Sequence, residues 1–295
     1  MNILGFTIGF IEWLQSYQNE FLDFFFNAIS FLGEQYVFIV VLGYIYWSHN
    51  KRMGEFIGLS MGFTSVINNA LKVIANAPRP FSEYPDRITN FRPSTSTGTS
   101  FPSGHTQNFS TLLFSIAFFL KKRWFFALAG IFVVLMMFSR MYLGVHYLED
   151  VLVGGFLGLL IAYLSYYFFN KLAENQKLLH RIYIITIIVF FPIVFLLGSE
   201  DLFKGYGILS GFVLAIMFEK KYVCFCVDIS VYKKIVRLII GAIVLITIQI
   251  GVKMIYAPFV TEGTYLFEVL DFIRYFMVAF VGFGIYPYLF KKLNM

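Results

Sequence analysis

The chain has 295 residues, 59% of them hydrophobic and 14% charged, with a mean hydropathy of +0.74. A soluble domain of this length cannot hide that much apolar surface, so composition excludes a water-soluble globular protein and points to several membrane crossings. The net charge of +6 is broken into small clusters between apolar stretches. That is a pattern of topology, unlike the basic face of a nucleic-acid binder, and no nucleic-acid partner is expected.

In chain order, Ile3 to Ser16 are bulky and apolar with Glu12 as the single charge, the makeup of an interfacial helix or a partial insertion. No Lys or Arg precedes Lys51, so the basic region of a cleaved signal peptide is missing. Residues 20–32 and 35–48 flank Gly33-Glu34 and read as one broken or tilted first span. Further spans are expected at 53–77, 104–120, 124–143, 146–169, 181–198, 203–218, 236–256 and 268–290. Each is close to the ~20 residues that cross a bilayer core. The sequence therefore predicts an all-α, polytopic membrane helical bundle of nine transmembrane helices. Three regions follow: 1–49, the interfacial helix and first span; 50–177, a core carrying the polar motifs; and 178–295, a C-terminal extension of four spans. Cys224 and Cys226 lie beside Lys220 and Lys221 with no histidine nearby, so free thiols are expected and neither a disulfide framework nor a metal site.

The basic residues give an orientation. Lys51, Arg52, Lys121–Arg123, Lys171, Lys177, Arg181, Lys220, Lys221, Lys233, Lys234, Arg237, Lys291 and Lys292 fall in alternate connections, 15 of the 23 Lys and Arg. The positive-inside rule makes that side cytoplasmic. Lys72, Arg79 and Arg140 then face the opposite, extracytoplasmic side, as expected of a multi-pass protein of a bacterial plasma membrane.

Three short strings carry the chemistry. In the first, Lys72 precedes Arg79-Pro80 by seven residues, two helical turns, so a helix points Lys72 along the face that leads to Arg79. Pro78 and Pro80 stop that helix, and a lysine at this depth belongs in a polar cavity. In Pro102-Ser103-Gly104-His105, Ser103 is a natural N-cap, the helix N-terminus offers free N–H groups to an anion, and Gly104 lets the backbone approach it. In the third, Ser139-Arg140 closes one span, and His146 with Asp150 shares one face at the start of the next, at i and i+4. A carboxylate on one imidazole nitrogen fixes the tautomer and leaves the other free as nucleophile or base. Arg140 brings a planar fork suited to phosphate oxygens.

Between the first two strings, Ser94–Ser100 form a Ser/Thr/Gly tract that reads equally as a solvated loop or a lid. Arg87 and Arg92 in the same connection are candidates for a second phosphate. Gly154 and Gly158 make a small face for close helix packing. Asp271 and Arg274, at i and i+3, with Lys253 on the preceding span, are expected to form a structural ion-pair cluster.

Together the three strings resemble those of the type-2 phosphatidic acid phosphatase superfamily, the integral-membrane lipid phosphate phosphatases, over roughly residues 50–170. The resemblance implies a six-span-type core with extra C-terminal helices. It implies that His146 attacks phosphorus to give a phosphohistidine, that Asp150 orients it, and that His105 protonates the leaving oxygen. Lys72, Arg79, Arg140, Ser103 and the Gly104 amide would hold the phosphate oxygens, with no metal and no cofactor. The implied partners are the bilayer and a lipid phosphate: a polyprenyl diphosphate such as undecaprenyl diphosphate, phosphatidate or a related phospholipid. A homo-oligomer is left open. The same residues would serve a phosphotransferase or a glucose-6-phosphatase-like sugar phosphatase. A transporter would instead scatter its polar residues through mid-membrane.

Overall fold

The computed structural model describes residues 5–172, 175–293 and 295, and among these there is no strand. The helices are α1 (Thr7–Ser16), α2 (Glu20–Phe31), α3 (Gln35–Tyr44), α4 (Lys51–Ala75), α5 (Pro80–Glu83), α6 (Gly104–Leu120), α7 (Arg123–Tyr142), α8 (Leu148–Leu172), α9 (Gln176–Leu197), α10 (Glu200–Phe218), α11 (Val231–Tyr256), α12 (Tyr265–Phe280) and α13 (Pro287–Lys292). They form two compact units, Met1–Phe38 with Ile67–Leu164, and Ile39–Val66 with Ser165–Met295.

Among the described residues, six helical stretches are long and apolar enough to cross a membrane, or seven if the bent pair α2–α3 counts as one span. The expected nine is not reached. α6, with 17 residues, stands at the lower limit of a crossing. α12 runs on through a π-helical turn, Val281–Ile285, and is long enough, but it carries Glu268, Asp271 and Arg274. The break at Gly33-Glu34 is present, and the two halves of that pair meet at 52°.

In the first unit, α2 starts where the Asn19 side chain accepts from the Leu22 amide at 3.0 Å, and Glu20 and Asp23 suit the positive end of the helix. α1 is a packed element: Ile8 and Ile11 are buried with Ile88, Met141, Tyr147 and Val151. Ile3 and Leu4, where this helix was expected to begin, lie outside the described residues. The Gln15 amide of α1 donates to the carbonyls of Thr89 (2.8 Å) and Tyr142 (3.0 Å), fastening the connection after α5. α6 and α8 meet through the two glycines expected to allow it. A Cβ on Gly154 would sit 2.8 Å from the Ser103 carbonyl oxygen, and one on Gly158 would sit 2.4 Å from that of Gln107. Burying leucine against leucine gains little over burying it against lipid, so backbone approach of this kind decides helix pairing in a bilayer.

In the second unit, α10 is the buried centre and α12 lies against it. Gly207 and Gly211 permit this, since Cβ atoms there would be 2.6 and 2.4 Å from the carbonyl oxygens of Phe272 and Phe276. α9 and α11 expose Ile185, Ile188, Phe191, Ile239, Ile243 and Ile246, a surface for acyl chains. Arg274 pairs with Asp271 at 2.7 Å as expected, but Lys253 does not join them. It reaches Glu262 instead (3.3 Å), and Lys204 of α10 takes the expected place at 3.7 Å from Asp271. Cys224 and Cys226 are free and exposed.

Candidate active site

All eight residues singled out by the three strings fall in the first unit, at the C-terminal ends of α4 and α7 and the N-terminal ends of α5, α6 and α8. α4 ends at Ala75; Asn76 turns the chain with φ +42°, and Pro78 and Pro80 prevent the helix from resuming until α5. Arg79 is the extended residue just before α5, and its side chain is buried. Its Nη1 donates to the Val145 carbonyl at 3.0 Å and lies 3.4 Å from His146 Nε2.

His146 leads into α8, and its Nδ1 is 3.2 Å from Asp150 Oδ2. The same carboxylate oxygen accepts from the Tyr147 amide at 2.9 Å and from the Ser100 hydroxyl, whose oxygen is also 3.4 Å from His146 Nδ1. The carboxylate therefore keeps the imidazole proton on Nδ1 and turns the Nε2 lone pair toward Arg79. Burial first, then the charges of Arg79, Arg140 and Lys72, hold His146 well below the ordinary imidazole range, so it is neutral.

Ser103 occupies the N-cap position of α6, but its hydroxyl makes no capping bond. It meets Thr106 Oγ1 at 3.0 Å, while the Ser103 amide donates to the Asp150 carbonyl at 3.0 Å and ties α6 to α8. Gly104 is needed for closeness: a Cβ there would be 3.1 Å from Asn68 Oδ1 and 3.9 Å from Lys72 Cε. His105 is half-buried, with its Nε2 shielded from solvent and lacking a hydrogen-bond partner among the described residues, and Arg140, Arg92, Arg79 and Lys72 all act on it electrostatically. Arg140 is wholly buried; its Nη1 bonds the Ser30 hydroxyl, while Nε and Nη2 have no partner among the described residues. The turn from Arg140 to His146 relies on Gly144, which has φ +73° and where a Cβ would lie 2.2 Å from the Thr89 carbonyl oxygen.

The Ser/Thr tract closes over two of the cations. Arg79 donates to the carbonyls of Thr97 (2.7 Å) and Gly98 (3.0 Å), and Lys72 donates to that of Thr99. Beside this contact a cleft of about 430 Å³ opens between residues 76–82 and Gly98–Thr99, with Arg79 in its wall. Neither arginine proposed for a second phosphate is unengaged. Arg87 forms a two-bond pair with Glu12 (2.6 and 2.7 Å), and Arg92 bonds Glu34 and the Asn27 carbonyl. Their expected role loses its footing, because both forks already hold protein acceptors.

Sequence reasoning missed Ser100, hidden in a low-complexity tract, and Ser30 and Glu34, which are far from the motifs. Glu34 did carry a signal, as an ionisable residue inside an apolar segment. Chemically, the site joins a neutral, oriented imidazole to two buried arginines, a half-buried lysine and a second imidazole whose Nε2 has no partner among the described residues. Such a pocket suits an oxyanion with several oxygens. Among the described residues no three His, Cys, Asp or Glu side chains converge as a metal-holding group.

Residues 56–174 match the PAP2 superfamily, and residues 203–295 match the PAP2 superfamily phosphatase, transmembrane extension. The chain is similar to phosphatidylglycerophosphatase B of Bacillus subtilis, at 33% identity over 47% of this chain and 70% of that one. It resembles the undecaprenyl-diphosphatase of Sulfolobus acidocaldarius at 28% identity, over 55% and 78% of the two chains. With lipid phosphate phosphatase delta of Arabidopsis thaliana it shares 29% identity over 50% of its own length, a match that spans only 38% of that relative. The chain belongs to the PAP2 superfamily.

Proposed function

We propose that this protein is an integral-membrane phosphatase that releases phosphate from lipid phosphates through a phosphohistidine, without a metal ion. The observation that carries the reading is the setting of His146: neutral, with Nδ1 on Asp150 and Nε2 3.4 Å from the Arg79 guanidinium. Nε2 forms the N–P bond as the bond from phosphorus to the leaving oxygen breaks, and that oxygen takes a proton from His105. A bound phosphate dianion offsets the four cations around His105, so the ring can carry that proton once substrate is present. Water then attacks phosphorus, His105 recovers the proton, and the N–P bond opens to free His146. Arg79, Lys72 and Arg140 stabilise charge on the three equatorial oxygens, with the Ser103–His105 end of α6 beside them. Lys72 and Arg79 exchange carbonyls of residues 97–99 for phosphate oxygens, so the tract moves when substrate enters.

The substrate class we infer is a lipid mono- or diphosphate. The relatives are named for a phosphatidylglycerophosphate, an undecaprenyl diphosphate and a lipid phosphate, and the helices of this chain present apolar faces on which an acyl or prenyl chain can lie. The distribution of basic residues supports a site on the extracytoplasmic side. The test is phosphate release by the full chain in detergent micelles from undecaprenyl diphosphate, phosphatidate, phosphatidylglycerol phosphate and glucose 6-phosphate. The expected result is a kcat/KM for one of the lipids well above that for the sugar, retained in chelator and abolished by His146→Ala. Preference for glucose 6-phosphate, or a strict requirement for a divalent cation, would overturn it.

A further inference from the structure

The bent pair α2–α3 lies outside both stretches that match the family, yet it borders the phosphate pocket at three points. Ser30, fully buried near the end of α2, accepts a hydrogen bond from Arg140 Nη1. Gly33, in the bend, abuts the second imidazole: a Cβ there would lie 3.1 Å from His105 Cδ2 and 2.9 Å from Met136 Cε. Glu34, just past the bend, bonds Arg92, which is also held by the Asn27 carbonyl at 2.9 Å.

Arg140 is the reason these contacts matter. Its guanidinium is completely buried, and the edge formed by Nε and Nη2 has no partner among the described residues. Burying donors without acceptors is costly unless a ligand supplies them, and this edge of a guanidinium is the one that takes two oxygens of a phosphate side by side. Ser30 occupies the opposite corner and so fixes the direction of the open edge. The charge balance points the same way. Arg79 and Arg92 repel Arg140, and Glu34 is the anion that acts on it.

We propose that the α2–α3 bend completes the phosphate site: Ser30 is a positioning residue that aims the open edge of Arg140 at the ligand, and Glu34, bound to Arg92, limits the positive charge beside it. The proposal rests on the reading of the chain as a phosphatase in which Arg140 grips phosphate. It explains why the first span is broken where it is. A straight helix would carry residues beyond Ser30 past the pocket, whereas the bend sets Gly33 against His105 and Glu34 against Arg92.

The experiment uses the full-length protein in detergent, phosphatidate as substrate and orthovanadate as a probe of the pocket. Ser30→Ala is expected to lower kcat about tenfold or more while KM stays within about twofold, because a misaimed arginine costs most in the transition state. Vanadate inhibition should weaken in parallel, and Ser30→Thr, which keeps the hydroxyl, should recover most of both. Glu34→Gln should move vanadate binding the other way, toward tighter inhibition, since it removes negative charge from the pocket rim. Wild-type kcat and vanadate inhibition in Ser30→Ala overturn the aiming role, as does a loss that threonine fails to rescue. If Ser30→Ala does not fold, Ser30→Cys carries the comparison, and wild-type turnover in it overturns that role. Unchanged or weaker vanadate inhibition in Glu34→Gln overturns the charge role. A wild-type protein that is active while the Ser30 and Glu34 variants match it sinks this inference alone. A wild-type protein that neither releases phosphate from any of the lipids nor responds to vanadate sinks the phosphatase reading as well.

Discussion

His146 stands between a carboxylate and a guanidinium, and the two act on different properties of the ring. Asp150 sets the tautomer, while Arg79, with burial, keeps the ring neutral. In the proposed mechanism only neutral imidazole attacks phosphorus, so activity is expected to be lost as pH falls through the pKa of His146. Because that pKa is depressed, protonation of His146 should not limit kcat/KM on going down through about pH 6.5, and its acid limb should set in only below it. Arg79→Gln removes a cation that disfavours the imidazolium, which raises the His146 pKa and should move the acid limb upward in the residual activity. A pH–rate profile of both proteins checks this, and an acid limb above pH 6.5 in the wild type contradicts it. Asp150→Asn should cost about 10⁴ in kcat, the size of the loss when the analogous aspartate of a serine protease triad is replaced and the wrong tautomer results. Ser100 shares the same carboxylate oxygen as His146 Nδ1. Ser100→Ala should reduce kcat by roughly 10- to 100-fold, as for partners that orient ligating histidines at metal sites. Full activity in that variant would leave the hydroxyl with a packing role only.

At the scale of elements, the site depends on how closely α6 approaches α8. The Ser103 amide reaches the Asp150 carbonyl at 3.0 Å because Gly154 and Gly158 leave no side chain between the two helices. Gly158→Val places carbon 2.4 Å from the Gln107 carbonyl oxygen and 2.6 Å from Ser110 Cβ, so the helices must separate. Overpacking of this kind costs about 1–3 kcal/mol, and here it also draws the Gly104–His105 turn away from His146. The expected outcome is a lower melting temperature together with a marked fall in kcat. Gly130→Ala is the control, since no atom lies within 4 Å of its added Cβ, and alanine favours the helix. Equal behaviour of the two variants in thermal melts and activity assays would show that the α6–α8 approach does not govern the site. The tract over Lys72 and Arg79 is fastened in a different way, by Glu12–Arg87 from α1 and Glu34–Arg92 from the α2–α3 bend. The first pair is exposed, so its loss should change loop mobility more than stability.

For the whole molecule, the question is which side of the membrane the pocket faces. With 15 of 23 basic residues in alternate connections and α6, α7 and α8 each crossing the membrane, Thr97 beside the pocket and Asn175 at the start of α9 should lie on opposite sides. Single cysteines at these positions, with the exposed Cys224 and Cys226 replaced by serine, should react with an impermeant maleimide from opposite faces of sealed vesicles. Labelling of both from one face would overturn the orientation.

The sequence alone determined that the protein is helical and membrane-embedded, because apolar composition and run length are local quantities that bilayer physics translates directly into helices. It also picked out the candidate site residues, since Lys72, Arg79, Ser103, Gly104, His105, Arg140, His146 and Asp150 stand in fixed local spacings at helix ends. The span count was less legible: α6 stands at the lower limit of a crossing, and α12 carries Glu268, Asp271 and Arg274, of which the last two pair with each other. Only the tertiary structure decided that Ser100 shares Asp150 with His146, that Ser30 holds Arg140, and that Lys204 replaces Lys253 beside Asp271. Those pairings join residues 50, 110 and 67 positions apart, and no local periodicity encodes a contact across such distances. The same holds for Arg87 and Arg92, whose acceptors come from α1 and the α2–α3 region, so packing of the N-terminal helices determined what these two side chains had left to bind.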